Sequence, residues 1–559
     1  MPTAPLGRSL MAAAVLAGGL TAQAVVDLRE IPTGRGSVLL GEPAVTGTPR
    51  SAVAGELGAS CTFVDLNGDG FDEYVVGAPT LSGVPVGGVA NNTGHVYIRF
   101  GDAEAGAPGS EPDEDLAALT PGQGLNIRGR VGDMAGASLA AAGDVDGDGF
   151  QDLIIGAPGH NAPGRTDSGA FYVLFGAADL ATLGPLLSLV DLGAAGRARL
   201  FFGPRAFGEV GTSVAGDVDV DNDGFDDLVA GAPLDSTGGL SQNGAAYVVY
   251  GDATLKAVGD VDMATLGAGS LTEVRGTEDF QLLGSSVAGL GNYDPVLPGL
   301  GGLEDLAAGD DVALGAPGTL ENGNLFTGAV FVLRGQTSGA LPVLLDVDAF
   351  VGGDSPGLEI VGDQPGDQAG SFVANGGDLF GNDGFNELVI GAPLSDGPGK
   401  LDCGAFYLVP GRFGGVNPEP FDLSDIGPFD PRPAIQIWGA VTLDGRDGLS
   451  ASQVGDFDTD GFLDLAVAFP GATVPDGVNF MPEAGIVIVI GSLVLDPTQV
   501  HTIDLGTQLP FAQIFRLEGD VTGARGGTSL AVGDLNGDGK PEIITANSHE
   551  LNLVYPNRL

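Results

Sequence analysis

The sequence predicts an all-β fold, a seven-bladed β-propeller of four-stranded blades, and three observations lead there. A strand of the form G-x-S-Φ-A, an acidic loop and a Φ-Φ-G-A-P strand recur together every 75–79 residues. Each copy also holds further short apolar runs bounded by Gly and Pro, the mark of strands. Four-stranded units repeated radially are propeller blades. The pattern is clearest at Gly143–Pro158, GDVDGDGFQDLIIGAP.

Residues 1–24 carry Arg8, an apolar run from Leu10 to Leu20 and the small-x-small sequence Ala22-Gln23-Ala24. They read as a signal peptide removed near Ala24, which places the mature protein outside the cytoplasm, secreted or periplasmic. Residues 25–559 then form the propeller. No other stretch approaches the ~18 apolar residues that span a bilayer, so no membrane span is expected. Within each unit the G-x-S-Φ-A strand is small throughout, as the innermost strand must be where blades crowd the axis. The L-I-I-G-A-P strand is apolar throughout, as expected where neighbours cover both its faces. A third strand follows, as in GHVYIRFG, GAFYVLFG and GAAYVVYG, and then a short Asp-Leu strand around Asp191, Asp262, Asp346, Asp422 and Asp504. The last unit ends at its third strand, LNLVYPN, while VVDLRE at Val25–Glu30 matches a fourth strand. The N-terminal strand is therefore expected to close the last blade and remove the open edges.

The loop between the first two strands alternates acids with small residues. In the second copy Asp144, Asp146 and Asp148 alternate, Gly149 permits a reversal, the Phe150 carbonyl follows, and Asp152 closes a nine-residue circuit of oxygens. Calcium takes six to eight oxygens at about 2.3–2.6 Å in flexible geometry, and this loop supplies such a set. The last acid stands at position 9, not at position 12 as in an EF-hand. The first copy offers Asp65, Asn67, Asp69, the Phe71 carbonyl and Glu73. The third offers Asp219, Asp221, Asp223, Phe225 and Asp227. The sixth offers Asp456, Asp458, Asp460, Phe462 and Asp464. The seventh offers Asp534, Asn536, Asp538, Lys540 and Glu542. Two further units fill the middle. One, Leu282–Pro317, has lost the acid spacing and its site; the other keeps Asp378, Asn382, Asp383 and Glu387 around an insertion, a weakened site. Five strong Ca²⁺ sites and one weakened site are expected.

The eighteen carboxylates of the five intact loops account for only part of the net charge of −51. A surface so acidic repels nucleic acid and anionic membranes. Cys61 and Cys403 lie far apart in different repeats and read as free thiols. The histidines His95, His160, His501 and His549 occupy no repeated position, and no nucleophile elbow, zinc helix or phosphate loop appears in context. No catalytic residue is assigned. Paired carboxylates keep open an alternative, a polysaccharide hydrolase or lyase, or a lectin, using the central channel.

The consensus FG/LG-x-S-V-A-x-GD-x-D-x-DG-x-x-DL-Φ-Φ-GAP resembles the FG-GAP repeat of the integrin α-subunit N-terminal propeller and of related bacterial extracellular proteins. The resemblance implies a seven-bladed propeller with calcium in hairpin loops on one face and ligand recognition on the opposite or upper rim. The units here are longer than the family's, and no inserted adhesion domain, leg, transmembrane helix or tail is seen. The expected protein is a secreted, monomeric, calcium-stabilised scaffold that binds an extracellular protein or glycan, without enzymatic activity.

Overall fold

The computed structural model describes residues 24–27, 36–40, 56–81, 92–103, 114–294, 309–320, 326–350, 355–380, 384–411, 421–426, 434–439, 452–476, 479–481, 483–491, 502–505, 513–518, 525–546 and 551–554. Residues 1–23, which hold most of the expected signal peptide, lie outside them.

The fold is an all-β β-propeller. Among the described residues the strands form seven five-stranded sheets and one small two-stranded ribbon. Taken by innermost strand, the sheets begin at Cys61–Val64, Leu139–Gly143, Ser213–Ala215, Ser286–Gly291, Phe372–Asn375, Ser452–Gly455 and Leu530–Gly533, and are numbered first to seventh in that order. Each innermost strand abuts that of the next sheet, and the seventh abuts the first. Outward from it run the G-A-P strand, the aromatic third strand and a fourth, all antiparallel, as in the third sheet: Ser213–Ala215, Leu228–Ala232, Ala245–Val249 and Leu271–Arg275. The second strands are buried at every position, as in Asp152–Gly156 and Asp464–Phe469, because apolar neighbours press on both faces.

Four strands per sheet was the expectation, and a fifth corrects it. The Asp-Leu segments are not fourth strands. They lie parallel on the outer edge of the preceding sheet: Leu344–Asp346 pairs with Leu271–Arg275, and Phe421–Asp422 with Gly357–Val361. Their aspartates end them early. Asp262 Oδ1 accepts the Ala264 amide at 3.0 Å and Asp422 Oδ1 the Ser424 amide at 2.8 Å, turning the chain into a 3₁₀ helix. The true fourth strand follows that turn. The segment at Asp191 is not a strand at all but a short helix, Leu189–Ala194, whose N-cap Ser188 accepts the Val190 amide.

The N-terminal segment departs in the same way. Ala24–Asp27 pairs in parallel with Gln513–Glu518 at the edge of the sixth sheet, and Gly36–Leu40, antiparallel to Leu551–Val554, supplies the fourth strand of the seventh. A short parallel strand therefore straps each sheet to the unit that follows; it carries an Asp in six of the seven, VVD at the N-terminus doing so for the sixth, while in the first sheet it is Leu186–Ser188, just before the Asp191 helix.

Small residues at the axis do more than fit. Ser138 Oγ donates to the Gly211 carbonyl at 2.9 Å, Ser213 Oγ to Gly284 and Ser286 Oγ to Gly370, so each serine ties its sheet to the next. Ser529 Oγ donates to the Gly58 carbonyl at 2.6 Å and joins the seventh sheet to the first. The glycine of G-A-P serves the same approach: a Cβ on Gly156 would strike both the Gly211 carbonyl oxygen and Ser138 Oγ.

Candidate metal centres

The acidic loops bridge the outlet of each innermost strand to the second strand, so they share one end of the propeller. In the second loop Asp144 Oδ1 accepts the Asp148 amide at 3.0 Å and Oδ2 the Gly149 amide at 2.9 Å. Asp146 Oδ1 accepts the Asp148 amide and Asp148 Oδ1 the Phe150 amide, both at 3.1 Å. Side chains thus satisfy the turn's amides and wind the loop around its own carboxylates. The reversal needs left-handed backbone at position 4, where Gly147 (φ +73°) and Gly537 (φ +67°) sit; Asn222 (φ +55°) and Thr459 (φ +62°) accept it with a side chain. The same bonds recur around Asp65, Asp219, Asp456 and Asp534.

These loops converge oxygens. Ligand atoms within 4.8 Å of one another come from Asp65, Asp69 and Glu73; from Asp144, Asp146 and Asp152; from Asp219, Asp221 and Asp227; and from Asp456, Asp458 and Asp460. Two oxygens in these groups are fully shielded from solvent and poorly matched: Asp146 Oδ2 has only the Lys256 ammonium, 3.1 Å away, and Asp221 Oδ1 has no hydrogen-bond donor. Their residues are 7% and 5% exposed. Both stand at position 3. A buried, unmatched carboxylate oxygen costs on the order of 1–3 kcal/mol, and an oxygen-only donor set suits a hard cation such as Ca²⁺. The residues fit that ion.

The position-9 acid has two duties. Asp152 Oδ2 accepts the Val145 amide at 3.1 Å and Oδ1 the Gly176 amide at 2.7 Å; Asp227 repeats both bonds to Val220 and Gly251. In the first and seventh loops the longer Glu73 and Glu542 instead bond the amide at position 2 and the Asn67 or Asn536 side chain. Burial first, and neighbouring carboxylates after it, push Glu73 up to about 9 and Asp152 and Asp227 up to about 8.

The fourth unit, expected to hold no ion, has a fixed cation of its own. Arg334 donates to Asp294 Oδ2 from Nε at 2.9 Å and Nη2 at 2.8 Å, and Asp311 Oδ2 accepts the Asp294 amide. Arg334 stands where the second and third sheets carry Phe175 and Tyr250, one residue before Gly335. In the fifth loop Asp378 Oδ2 accepts the Gly384 amide at 2.8 Å and Glu387 bonds the Leu379 amide. Asn382 and Asp383 lie outside the described residues.

Sequence reasoning missed position 8. Asp72, Gln151, Asp226 and Asp310 reach back to the amide that opens the preceding loop: Asp226 Oδ2 to Asp144 at 2.7 Å, Asp310 Oδ2 to Asp219 at 3.1 Å, Gln151 Oε1 to Asp65 at 3.3 Å and Asp72 Oδ2 to Asp534 at 2.8 Å. Asn386 donates to the Leu290 carbonyl instead. Leu463 and Pro541 hold that place in the sixth and seventh loops and pack on Gly377 and Gly455. The signal was a polar residue at position 8 in five copies and an apolar one in two.

Elsewhere the expected sites are plain. His95 Nδ1 lies 2.9 Å from Asn126 Oδ1 and His160 Nδ1 2.9 Å from Asp133 Oδ1, both histidines buried; His501 and His549 lie outside the described residues. Cys61 and Cys403 are thiols rather than a disulfide: Cys403 Sγ donates to the Ser395 carbonyl at 3.6 Å, and burial pushes Cys61 up to about 12. The central channel, about 520 Å³, is lined by Ser, Ala, Thr and Val of the innermost strands, with Asp217 its one carboxylate among the described residues. No helix among the described residues is long and apolar enough to cross a membrane.

Comparison with known proteins agrees with this geometry. The FG-GAP repeat family matches residues 135–174, 210–249 and 526–555. Human phosphatidylinositol-glycan-specific phospholipase D is 31% identical over 237 residues, 42% of this chain and 25% of that protein. Integrin alpha-5 of Xenopus laevis is 31% identical over 181 residues, 32% of this chain and 15% of that one. Integrin alpha-PS2 of Drosophila melanogaster is 30% identical over 178 residues, 31% and 11%. The chain thus spans a quarter or less of the length of these relatives.

Proposed function

Because the chain carries FG-GAP repeats of the integrin-α type, we propose that it is an extracellular, calcium-stabilised binding scaffold, a closed ring of seven blades that presents one face to a protein or glycan. Calcium would sit among Asp65, Asn67, Asp69, Glu73 and the Phe71 carbonyl, and among the equivalent groups of the second, third, sixth and seventh loops. When bound, it supplies the positive charge that lets these carboxylates stay together. The chain's own residues do the rest: the position-1 acid winds the loop, the position-9 acid braces two strands, and position 8 links neighbouring loops. Seven abutting innermost strands, with the seventh against the first, support the closed ring.

One observation carries the binding half. Phe207 and Phe280 stand at the end of the sheets opposite the acidic loops, 61% and 50% exposed, with φ of +62° and +61°. The same turn in the second and fifth units carries Gly132 and Gly366. An exposed phenylalanine in left-handed backbone is a strained choice where glycine serves, and such strain gathers at binding surfaces. Phe326 adds a third, 39% exposed at φ +58°. A glycosidase would need a pair of carboxylates in the channel, and among the described residues Asp217 stands there alone, which supports a non-catalytic role. The test is binding of the purified protein to glycan and extracellular-protein arrays. Binding lost in the Phe207→Ser, Phe280→Ser double variant supports the scaffold; binding unchanged by it, or turnover of acidic polysaccharides, contradicts it.

A further inference from the structure

We infer that Lys256 is a built-in counter-cation of the second acidic loop, which its ammonium neutralises when calcium is scarce and must leave for calcium to bind. This rests on the calcium reading above and adds a regulation of that one site. Lys256 Nζ lies 3.1 Å from Asp146 Oδ2, a buried oxygen with no other donor beside it, and also bonds Asp148 Oδ2. Its ammonium stands 5.4 Å above the Phe175 ring, which adds cation–π attraction at the same spot.

The lysine is placed there by its own turn. Leu255, 3% exposed, is anchored in the core, the Leu255 amide donates to the Asp252 carbonyl and the Ala257 amide to Thr254, while Arg199 Nη1 donates to the Leu255 carbonyl at 2.9 Å. Only the flexible stem is left free to swing, and at 37% side-chain exposure it has solvent to swing into. The neighbouring units are the internal control. Counted from the glycine that ends the third strand, Lys256 follows Gly251 as Ala181 follows Gly176, so the corresponding place beside the first loop holds a methyl group. At the third loop Asp221 Oδ1 has neither donor nor lysine. A protein with 22 basic against 73 acidic residues places one of its few ammonium groups on this loop alone of the three. An ammonium and Ca²⁺ cannot share the same carboxylate oxygens. Apparent affinity therefore falls by the fraction of molecules in which the lysine is docked.

Hydrogen exchange across a calcium titration separates the loops, with peptides covering residues 65–73, 144–152 and 219–227 read in the full chain. In the wild type the second loop becomes protected at a higher calcium concentration than the third, and Lys256→Met lowers its midpoint roughly fivefold, the scale of a half-exposed ion pair that no longer has to break. Without calcium, Lys256→Met exchanges faster than wild type in the second loop alone. Midpoints of the first and third loops stay put. If those two loops titrate while the second ignores Lys256→Met, the Lys256 inference is overturned and the calcium reading stands. If calcium protects none of the loops, both fall. Lys256→Arg, which keeps the charge on a bulkier head, holds the wild-type midpoint within about twofold; a shift as large as that of the methionine variant would point to packing and contradict the inference.

Discussion

Asp226 Oδ2 accepts the Asp144 amide at 2.7 Å, and the Asp226 amide in turn donates to the Asp144 carbonyl at 3.3 Å, so the third acidic loop grips the first residue of the second. Asp226 is not among the expected metal donors. Asp226→Ala should cost about 1–2 kcal/mol, the loss of a partly buried charged acceptor, and leave the number of bound ions unchanged. Denaturant unfolding in saturating calcium, beside ion counting, checks this; a lost ion would show that Asp226 is a ligand.

The axial serines and the G-A-P glycines form one device, seen where Ser138 Oγ and Gly156 meet the Gly211 carbonyl. Ser213→Ala should cost about 1 kcal/mol, the net worth of one hydrogen bond. Gly156→Ala should cost about 3 kcal/mol or more, since the methyl group meets backbone that cannot move without parting two sheets. Thermal melts of both variants check the order.

Much of this was legible in the sequence. The period, the small inner strand and the apolar second strand dictate sheets around an axis, because only such packing buries strands on both faces. Asp144, Asp146 and Asp152 are brought together as their spacing implies. The Asp-Leu segments were legible as short strands, but their place was not: Phe421–Asp422 is a two-residue strand, too short to show period two, its parallel partner lies in the preceding unit, and the fourth strand that follows such a segment was missed. The N-terminal strand was misplaced by one sheet for that reason. Lys256 and Arg334 are single residues whose meaning lies in contacts across 108 and 40 positions, which no local pattern carries.

Calcium-free protein should lose stability as pH rises. Burial raises Glu73 to about 9 and Asp152 and Asp227 to about 8, well above the range of about 4 that carboxyls show in unfolded chains. Between pH 4 and 8 the folded chain therefore binds more protons than the unfolded one, and stability falls through that window. The penalty is absent below pH 4 and complete above pH 9. Melting in chelator from pH 5 to 8 should show a falling midpoint, and calcium should reverse the slope; a rising midpoint in chelator would contradict it.

Thr459 is exposed with φ +62°, where the equivalent loops carry Gly68, Gly147 and Gly537. A β-branched residue there stores strain of about 1 kcal/mol. Thr459→Gly should recover roughly that amount in denaturant unfolding, with ion binding unchanged or slightly tighter. No gain would mean that the sixth loop is not strained at this residue.

The central claim is that divalent ions hold the blade corners together. Scanning calorimetry of the metal-free chain, with and without millimolar calcium at pH 7.5, tests it most directly. The account predicts a rise of many degrees in the melting temperature, reduced in an Asp221→Asn variant, together with about five ions bound per chain. An equal melting temperature in chelator and in calcium would contradict it.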